Sequence, residues 1–320
     1  MPQPHDIDDV LVQWGDRLFY PGNRIVKERR QPRLAGNLLR DRAAVIRARI
    51  EATVVRRAPQ VMVKVTGGGR GMKAIAAHIR YISKNGRLDI EDELGNVERG
   101  KQAVRELADD WRFGGSFIDE VSDRREAFNI MLSMPRGVDA LIVQRAAREF
   151  AQAELADHKY VMVLHDHQAN PHVHISVRAE SKHGRRLNPR KADLQRWRET
   201  FARALRGWGI DAEATRQATR GADRNHPAIW QTKAAARGSL RTPPRPRKTS
   251  AASIATRLQA RAAWSHILDA LRESANEMDR RLAPGVAALL AGPERRSQGV
   301  RTVAGRVGPS APESNRSSSL

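Results

Sequence analysis

Residues 159–180, KYVMVLHDHQANPHVHISVRAE, contain two apolar stretches separated by a short polar one. The first, KYVMVLHDH, and the second, HVHISVRAE, are rich in the valine and isoleucine residues that favour β-strands. At most five residues, QANPH, connect the two stretches, and this length is typical of a β-hairpin loop. We therefore predict an antiparallel strand pair here, with Asn170 and Pro171 in the turn before the second strand.

The flanking sequence alternates between strand-like and helical patterns. In chain order, we predict a strand at 60–65, helices at 72–84 and 101–112, a strand at 127–135, a helix near 140–155, the hairpin, and a helix at 193–209. This order predicts an α+β domain over residues 61–225, in which helices flank a mainly antiparallel central sheet.

The two ends of the chain differ in composition from this predicted domain. Residues 1–60 form a basic N-terminal extension, which fits one amphipathic helix but lacks the dense apolar pattern of an independent core. Residues 226–320 form a basic linker and tail, with a helix predicted near 252–281 and a partly disordered end.

The overall composition narrows the classes of function. The 320 residues include 57 Lys+Arg and 36 Asp+Glu, and the formal charge of +21 favours a nucleic acid as partner, although an anionic membrane surface would also attract it. The absence of cysteine excludes disulfides, thiolate nucleophiles and cysteine zinc sites. Neither a membrane span nor a signal peptide is evident, so we expect a cytoplasmic protein without membrane insertion.

Four of the ten histidines lie within the hairpin, in the stretch HDHQANPHVH. Alternation along a strand places His172 and His174 on one face, and a tight hairpin can bring His165 opposite them. Three imidazoles suit Zn, Mn, Co, Ni or Fe and leave coordination positions open, as in catalytic sites. The alternative is that these are ordinary hydrogen-bonding histidines of a strand pair.

A candidate nucleophile lies on the helix that begins at residue 72. Its apolar stripe predicts the buried face of this helix, which comprises Met72, Ile75, Ile79 and Ile82. His78 and Tyr81 lie on a neighbouring stripe that is rotated away from the core. Tyr81 is therefore exposed to a substrate, or it is simply a boundary aromatic residue near the helix end.

Four sequence blocks, in this order, resemble the motifs of a known family: HIRYISKNGRLDI, AFNIMLSMPRG, HDHQANPHVHISV and RLNPRKADLQRWRETFARALRGWGI. Together they look like a conjugative relaxase of the MobA/VirD family within the HUH endonucleases, closest to the T-DNA border-nicking type. The resemblance covers about residues 61–225. The histidine block, with proline before His-x-His, is its most specific part.

The resemblance implies a mechanism for these residues. Tyr81 would attack a phosphodiester at the nick site of a transfer origin, form a 5′-phosphotyrosine and release a 3′-hydroxyl, which can later rejoin the strand. His165, His172 and His174 would hold Mg²⁺ or Mn²⁺, which stabilises the charge that develops on the phosphate. Because free tyrosine has a pKa near ~10, a base or the metal must help Tyr81 to ionise.

One position departs from the family pattern. Relaxases of this family usually have an aspartate two residues after the first histidine, where this sequence has His167. His167 could replace that aspartate as an orienting group or a base. Asp166 is adjacent, although strand alternation would direct it to the other face. His78, one helical turn before Tyr81, is a further candidate base.

We expect the DNA contacts to lie beside this site, in the basic segment after the histidine motif. Its exposed cations suit phosphates, and the predicted DNA-binding residues are Lys182, Arg185, Arg186, Arg190 and Lys191. The resemblance implies single-stranded DNA of a transfer origin as substrate. It also implies accessory mobilisation proteins and a type IV secretion coupling protein as partners, in a bacterial cytoplasm from which the protein is translocated with its DNA.

Two other functions remain open at this point. A replication-initiator or transposase-type HUH endonuclease shares the metal and tyrosine chemistry, but such relatives usually place the tyrosine after the histidines. A cleavage-defective DNA-binding relative is suggested by the missing aspartate at position 167.

Overall fold

The computed structural model describes residues 6–20, 34–217, 219–220, 234–239 and 251–292. The C-terminal end that the sequence predicts to be disordered lies outside these ranges. The elements are α1 (Ile7–Phe19), α2 (Gly36–Val54), β1 (Met62–Gly67), α3 (Met72–Ile82), β2 (Ile90–Asp92), β3 (Val97–Glu98), α4 (Lys101–Phe113), β4 (Ala127–Ser133), α5 (Ala140–Glu154), β5 (His158–His165), β6 (His172–Ser181), α6 (Lys191–Gly207), α7 (Ala251–Glu273) and α8 (Glu277–Ala291). Within these ranges, no helix is long and apolar enough to cross a membrane.

Six strands form one antiparallel sheet in the order β1-β4-β6-β5-β2-β3. The predicted hairpin is β5-β6, and it lies in the middle of this sheet. The α+β class with a mainly antiparallel central sheet is confirmed. The short strands β2 and β3 were not predicted, because three and two residues are too few to show an alternating pattern.

Helices cover the sheet on both faces. Alternation along β5 directs Tyr160 and Met162 into one core with α5 and α6, and directs Val161 and Val163 into another core with α3 and α4. This double burial explains why β5 is apolar without interruption from Tyr160 to Leu164. The hairpin is therefore fixed between two layers of helices.

The helices α1, α2, α7 and α8 share a third core, whose largest members include Leu11, Ile46, Ile50, Trp264 and Ile267. Residues of the N-terminal extension thus bury their apolar side chains against helices more than 200 positions later in the chain. The helix predicted near 252–281 corresponds to α7 and the first turn of α8, with a break between them. The division of the chain at residues 60 and 226 stays a prediction.

A buried ion pair connects this helical layer to the rest of the molecule. Arg49 of α2 is 8% exposed, and its guanidinium donates to Glu213 at 2.7 Å and to Glu199 of α6 at 3.3 Å. Glu213 is itself buried and, through its backbone carbonyl, accepts from the amide of Val61 just before β1. Arg49 thereby links α2 to two segments of the sheet domain.

We expect Arg49→Ala to destabilise the protein by about 3 to 5 kcal/mol, because it leaves the Glu213 carboxylate buried without its cation. The free energy of unfolding in urea measures this loss. Arg56→Ala is the matched control: Arg56 pairs with Asp211 at 2.9 Å but is 44% exposed, so its loss should cost under about 1 kcal/mol. Equal effects of the two substitutions would contradict a structural role for the buried pair.

Candidate active site

Three histidines converge at one end of the hairpin. His165 ends β5 and pairs directly with His172 at the start of β6, and His174 lies two residues further on the same face. Their ring centroids are 5.0 Å apart for His165 and His172, 4.7 Å for His165 and His174, and 5.1 Å for His172 and His174. One nitrogen from each lies within 4.8 Å of the others. The predicted convergence of three imidazoles is therefore present.

The hydrogen bonds of His165 and His172 each occupy only one nitrogen of the ring. His165 Nε2 donates to the carbonyl of Ile82 at 2.7 Å, and His172 Nδ1 donates to the carbonyl of Asn170 at 2.9 Å. The Nδ1 atoms of His165 and His174 are buried, and neither has a hydrogen-bond partner among the described residues. Two buried nitrogens without partners, on imidazoles that lie beside a third, fit a divalent metal ion.

Burial also sets the charge of this cluster. Burial, together with repulsion of a positive charge by the nearby His165, His172 and His78, lowers the pKa of His174 to about 3. Burial lowers the pKa of His165 as well, partly opposed by its hydrogen bond to the Ile82 carbonyl. Both rings are therefore neutral near pH 7, which is the form that binds a metal.

Helix α3 holds Tyr81 beside the cluster. Its predicted apolar stripe is buried against β5, whereas Tyr81 in the last turn is 72% exposed. The residue after Tyr81 is Ile82, whose carbonyl accepts from His165. The exposed tyrosine is therefore the immediate neighbour, along the chain, of a residue whose backbone contacts the histidine cluster directly.

His78 lies close to both groups. Its ring centroid is 6.3 Å from that of Tyr81 and 6.4 Å from that of His174. His78 Nε2 is buried and has no hydrogen-bond partner in the described part of the chain, and burial lowers its pKa. A neutral imidazole with an unused nitrogen can accept a proton from a neighbouring hydroxyl.

A tight turn follows the end of α3 at Ile82. Three successive residues, Lys84, Asn85 and Gly86, have positive φ values of 51°, 59° and 76°. The Asn85 amide donates to the Arg80 carbonyl at 2.8 Å, and the Gly100 amide donates to the Gly86 carbonyl at 2.9 Å. The turn thus fixes the end of the helix that carries the tyrosine.

Gly86→Ala should destabilise the fold by about 3 kcal/mol, because a Cβ there strains the left-handed backbone and would lie 2.2 Å from the carbonyl oxygen of Gly100. Gly95 also has a positive φ, but open space surrounds it. Gly95→Ala should therefore cost only about 1 kcal/mol. Thermal unfolding of the two variants compares these values, and a similar cost at both positions would refute the close approach of Gly86 and Gly100.

Residues 81–210 match the nuclease-domain model of the MobA/VirD2-like relaxases. This part of the chain is a relaxase nuclease domain. The match begins at Tyr81 and includes the whole hairpin and α6. The match supports a DNA endonuclease, which nicks DNA and binds single-stranded DNA. Relaxase domains are metal-dependent, and the three histidines could hold the ion. A comparison with curated proteins gave no match.

The position of the usual aspartate is occupied by His167 in the loop after β5. The His167 ring centroid lies 5.1 Å from that of His165, so it borders the cluster. The Asp166 carboxylate is 65% exposed and lies 4.0 Å from His167 Nδ1. Among the described residues, no carboxylate joins the three-histidine group in the relaxase domain.

The predicted DNA-binding residues do not lie beside the cluster. Their segment joins β6 to α6, and Ser181 at the end of β6 is nine residues after His172, or about 30 Å along the strand. Lys182 and Arg185 pair with Asp157 at 3.0 and 3.6 Å, and Arg186 pairs with Glu126 at 3.1 Å. Arg190 and Lys191 are exposed at the start of α6. The expectation that this segment adjoins the histidines is wrong; its DNA-binding role stays a prediction.

The sequence reasoning missed a surface that does adjoin the cluster. In the register of the sheet, Lys64 of β1 pairs with Met131 of β4, which pairs with His174. These side chains share one face, and Lys64 is exposed about two strand spacings, or ~10 Å, from His174. The signal was the alternation within QVMVKV, where Lys64 interrupts the apolar residues. Lys64 thus places an exposed cation on the face of the sheet that carries the histidines.

Proposed function

We propose that this protein nicks one DNA strand at a transfer origin of a plasmid or other mobile element, through a covalent 5′-phosphotyrosine on Tyr81. The observation that carries the proposal is the position of the exposed Tyr81 beside the three-histidine cluster, with the adjacent Ile82 carbonyl bonded to His165. The nucleophile and the phosphate-activating group of such a reaction must meet at one phosphodiester.

In the first step, the Tyr81 oxygen forms a bond to the phosphorus, and the bond from phosphorus to the 3′-oxygen of the upstream nucleotide breaks. The upstream fragment leaves through its 3′-oxygen, which takes a proton from water to become a 3′-hydroxyl, and the downstream fragment stays attached to Tyr81 through its 5′-phosphate. His78 accepts the tyrosine proton through Nε2, which is its unused nitrogen. His167 is the second candidate for this role because it borders the cluster.

His165, His172 and His174 would hold Mg²⁺ or Mn²⁺ through the nitrogens that other groups leave free. When bound, the ion supplies positive charge against the charge that develops on the phosphate. The hydrogen bonds to the Ile82 and Asn170 carbonyls orient two of these rings. Lys64, which lies on the same face of the sheet, binds a phosphate of the DNA backbone.

The tyrosine ester conserves the energy of the broken phosphodiester. A 3′-hydroxyl can therefore attack the phosphotyrosine, restore the strand and return Tyr81 to its free form without another source of energy. This reversal suits conjugation, in which a nicked strand is moved and rejoined. We further propose that accessory mobilisation proteins and a type IV secretion coupling protein act with the protein, which travels from a bacterial cytoplasm with its DNA.

A second candidate function is sequence-specific DNA binding without cleavage. It is favoured by His167, which stands where the family usually has an aspartate. An imidazole can orient a neighbouring group as a carboxylate does, but it cannot supply negative charge to the cluster.

Labelled single strands from candidate origins separate the two functions. With Mn²⁺ or Mg²⁺, a strand labelled at its 3′ end should yield a labelled protein adduct that survives denaturation. The same strand labelled at its 5′ end should yield only a shorter free fragment. EDTA should prevent both products. Tight binding of one origin strand with no adduct under any of these metals would select the binding-only function.

A further inference from the structure

An open pocket of about 360 Å³ lies away from the histidine cluster. Its floor includes Val65 of β1 and Phe128 of β4. Both belong to the opposite set of alternating positions from Lys64 and Met131, so they lie on the face of the sheet opposite the histidines. Pro189 and Leu194 complete the apolar wall from the side of α6.

Two arginines border this pocket without an acidic partner. Arg70 Nη1 donates to the carbonyl of Asp123 at 2.6 Å, and the Arg125 guanidinium lies 5.0 Å from the centroid of the Phe128 ring. In the described ranges, neither arginine forms an ion pair, and no acidic residue lines the pocket. Both cations are thus held in position while their charge is not neutralised.

A neighbouring pocket of about 400 Å³ provides a contrast. It shares Asn188 and Pro189 with the first, but its lining includes the carboxylates of Glu154, Asp157 and Asp193 beside the cations of Arg185, Arg186 and Arg196. The pocket of Arg70 and Arg125 has no acidic lining residue, so its positive charge is the less neutralised of the two. Arg186, from the segment predicted to bind DNA, donates to the Arg125 carbonyl at 2.5 Å and so places that segment at the rim.

The lining matches the parts of a nucleotide. Two positioned guanidinium groups suit a phosphate, apolar walls suit a sugar and a base, and the Asn188 amide offers a donor and an acceptor for a base edge. We propose that this pocket binds one nucleotide of single-stranded DNA outside the cleavage site. The proposal rests on the proposed function, because it takes the strand that is nicked as the source of the nucleotide.

The sheet provides a path between the two sites. β1 is an edge strand, with Lys64 on the histidine face and Val65 on the pocket face. A flexible single strand that leaves the histidines can therefore pass around β1 to reach the pocket. A free nucleotide has the same chemistry and is the other possible source.

The test measures binding to the full chain in EDTA, where metal-dependent nicking cannot occur. The probes are a labelled single-stranded 20-mer and free dAMP, and the variant is Arg70→Ala with Arg125→Ala. The control is Arg105→Ala with Arg203→Ala, which removes the same charge from exposed positions on α4 and α6. Thermal unfolding checks that both double variants are folded.

We expect the pocket variant to bind the 20-mer about tenfold more weakly than the wild type, and the control to change affinity less than about twofold. The slope of log affinity against log salt should become shallower by about 0.7 for each phosphate contact that is lost. Equal weakening in both double variants would overturn the proposal. Pocket-dependent binding of dAMP with an unchanged affinity for the 20-mer would overturn DNA as the source.

The outcome is independent of cleavage. If no strand ever forms an adduct but 20-mer binding depends on Arg70 and Arg125, the proposed function fails and the pocket remains. If adducts form and affinity does not depend on these arginines, the pocket fails and the proposed function remains.

Discussion

Tyr81→Phe should reduce formation of the covalent DNA adduct by at least about a thousandfold, because phenylalanine lacks the oxygen that forms the bond to phosphorus. The side chain is 72% exposed, so the lost hydroxyl has no buried partner, and the fold should be unaffected. Binding of the origin strand should change little. The measurement is the fraction of 3′-labelled strand that migrates with the protein under denaturing conditions.

Tyr160→Phe is the matched control for this substitution. Tyr160 lies on β5 and is buried, and burial, together with the nearby carboxylates of Glu91 and Glu93, raises its pKa to about 12. Such a hydroxyl is a poor nucleophile and cannot reach a strand, so the control should form adduct like the wild type. Adduct that persists in Tyr81→Phe would place the nucleophile elsewhere in the chain.

The sequence predicts the larger elements of the fold because each of them has a clear apolar period. The stripe of α3 and the alternation of β5 show which face each element buries. The third core could not be predicted in the same way, because α1 and α2 contribute only part of it and Trp264 and Ile267 complete it from the far end of the chain. The apolar pattern within one helix does not show which distant helices it packs against.

The candidate site, like the fold, could be predicted from the sequence only in part. Strand alternation is enough to predict that His165, His172 and His174 converge. The bond from His165 to the Ile82 carbonyl could not be predicted, because a main-chain acceptor has no residue signature. The position of the segment after β6 could have been calculated: a strand of ten residues carries that segment about 30 Å from His172. The sequence reasoning placed it beside the histidines because it is adjacent in sequence to their motif.

His174→Ala tests the metal site most directly. Burial and the neighbouring histidines lower the pKa of His174 to about 3, and its Nδ1 is buried with no partner in the described ranges. Removing one of three imidazoles should weaken Mn²⁺ binding by more than about a hundredfold, since even the groups that only orient a ligand typically contribute 10- to 100-fold. At a fixed Mn²⁺ concentration below saturation, formation of the Tyr81 adduct should fall in similar proportion.

Calorimetric titration with Mn²⁺ measures the affinity, and His158→Gln is the control. His158 lies on the same β5 strand as His165, is partly buried, and donates through Nδ1 to the Arg178 carbonyl at 2.9 Å. Glutamine preserves a donor there, so Mn²⁺ affinity should be unchanged. If His174→Ala binds Mn²⁺ as the wild type does, the buried nitrogens of the cluster do not hold the ion. If the variant loses Mn²⁺ but still forms the Tyr81 adduct at the normal rate, the metal has no part in the attack, and Tyr81 must ionise through His78 or His167 alone.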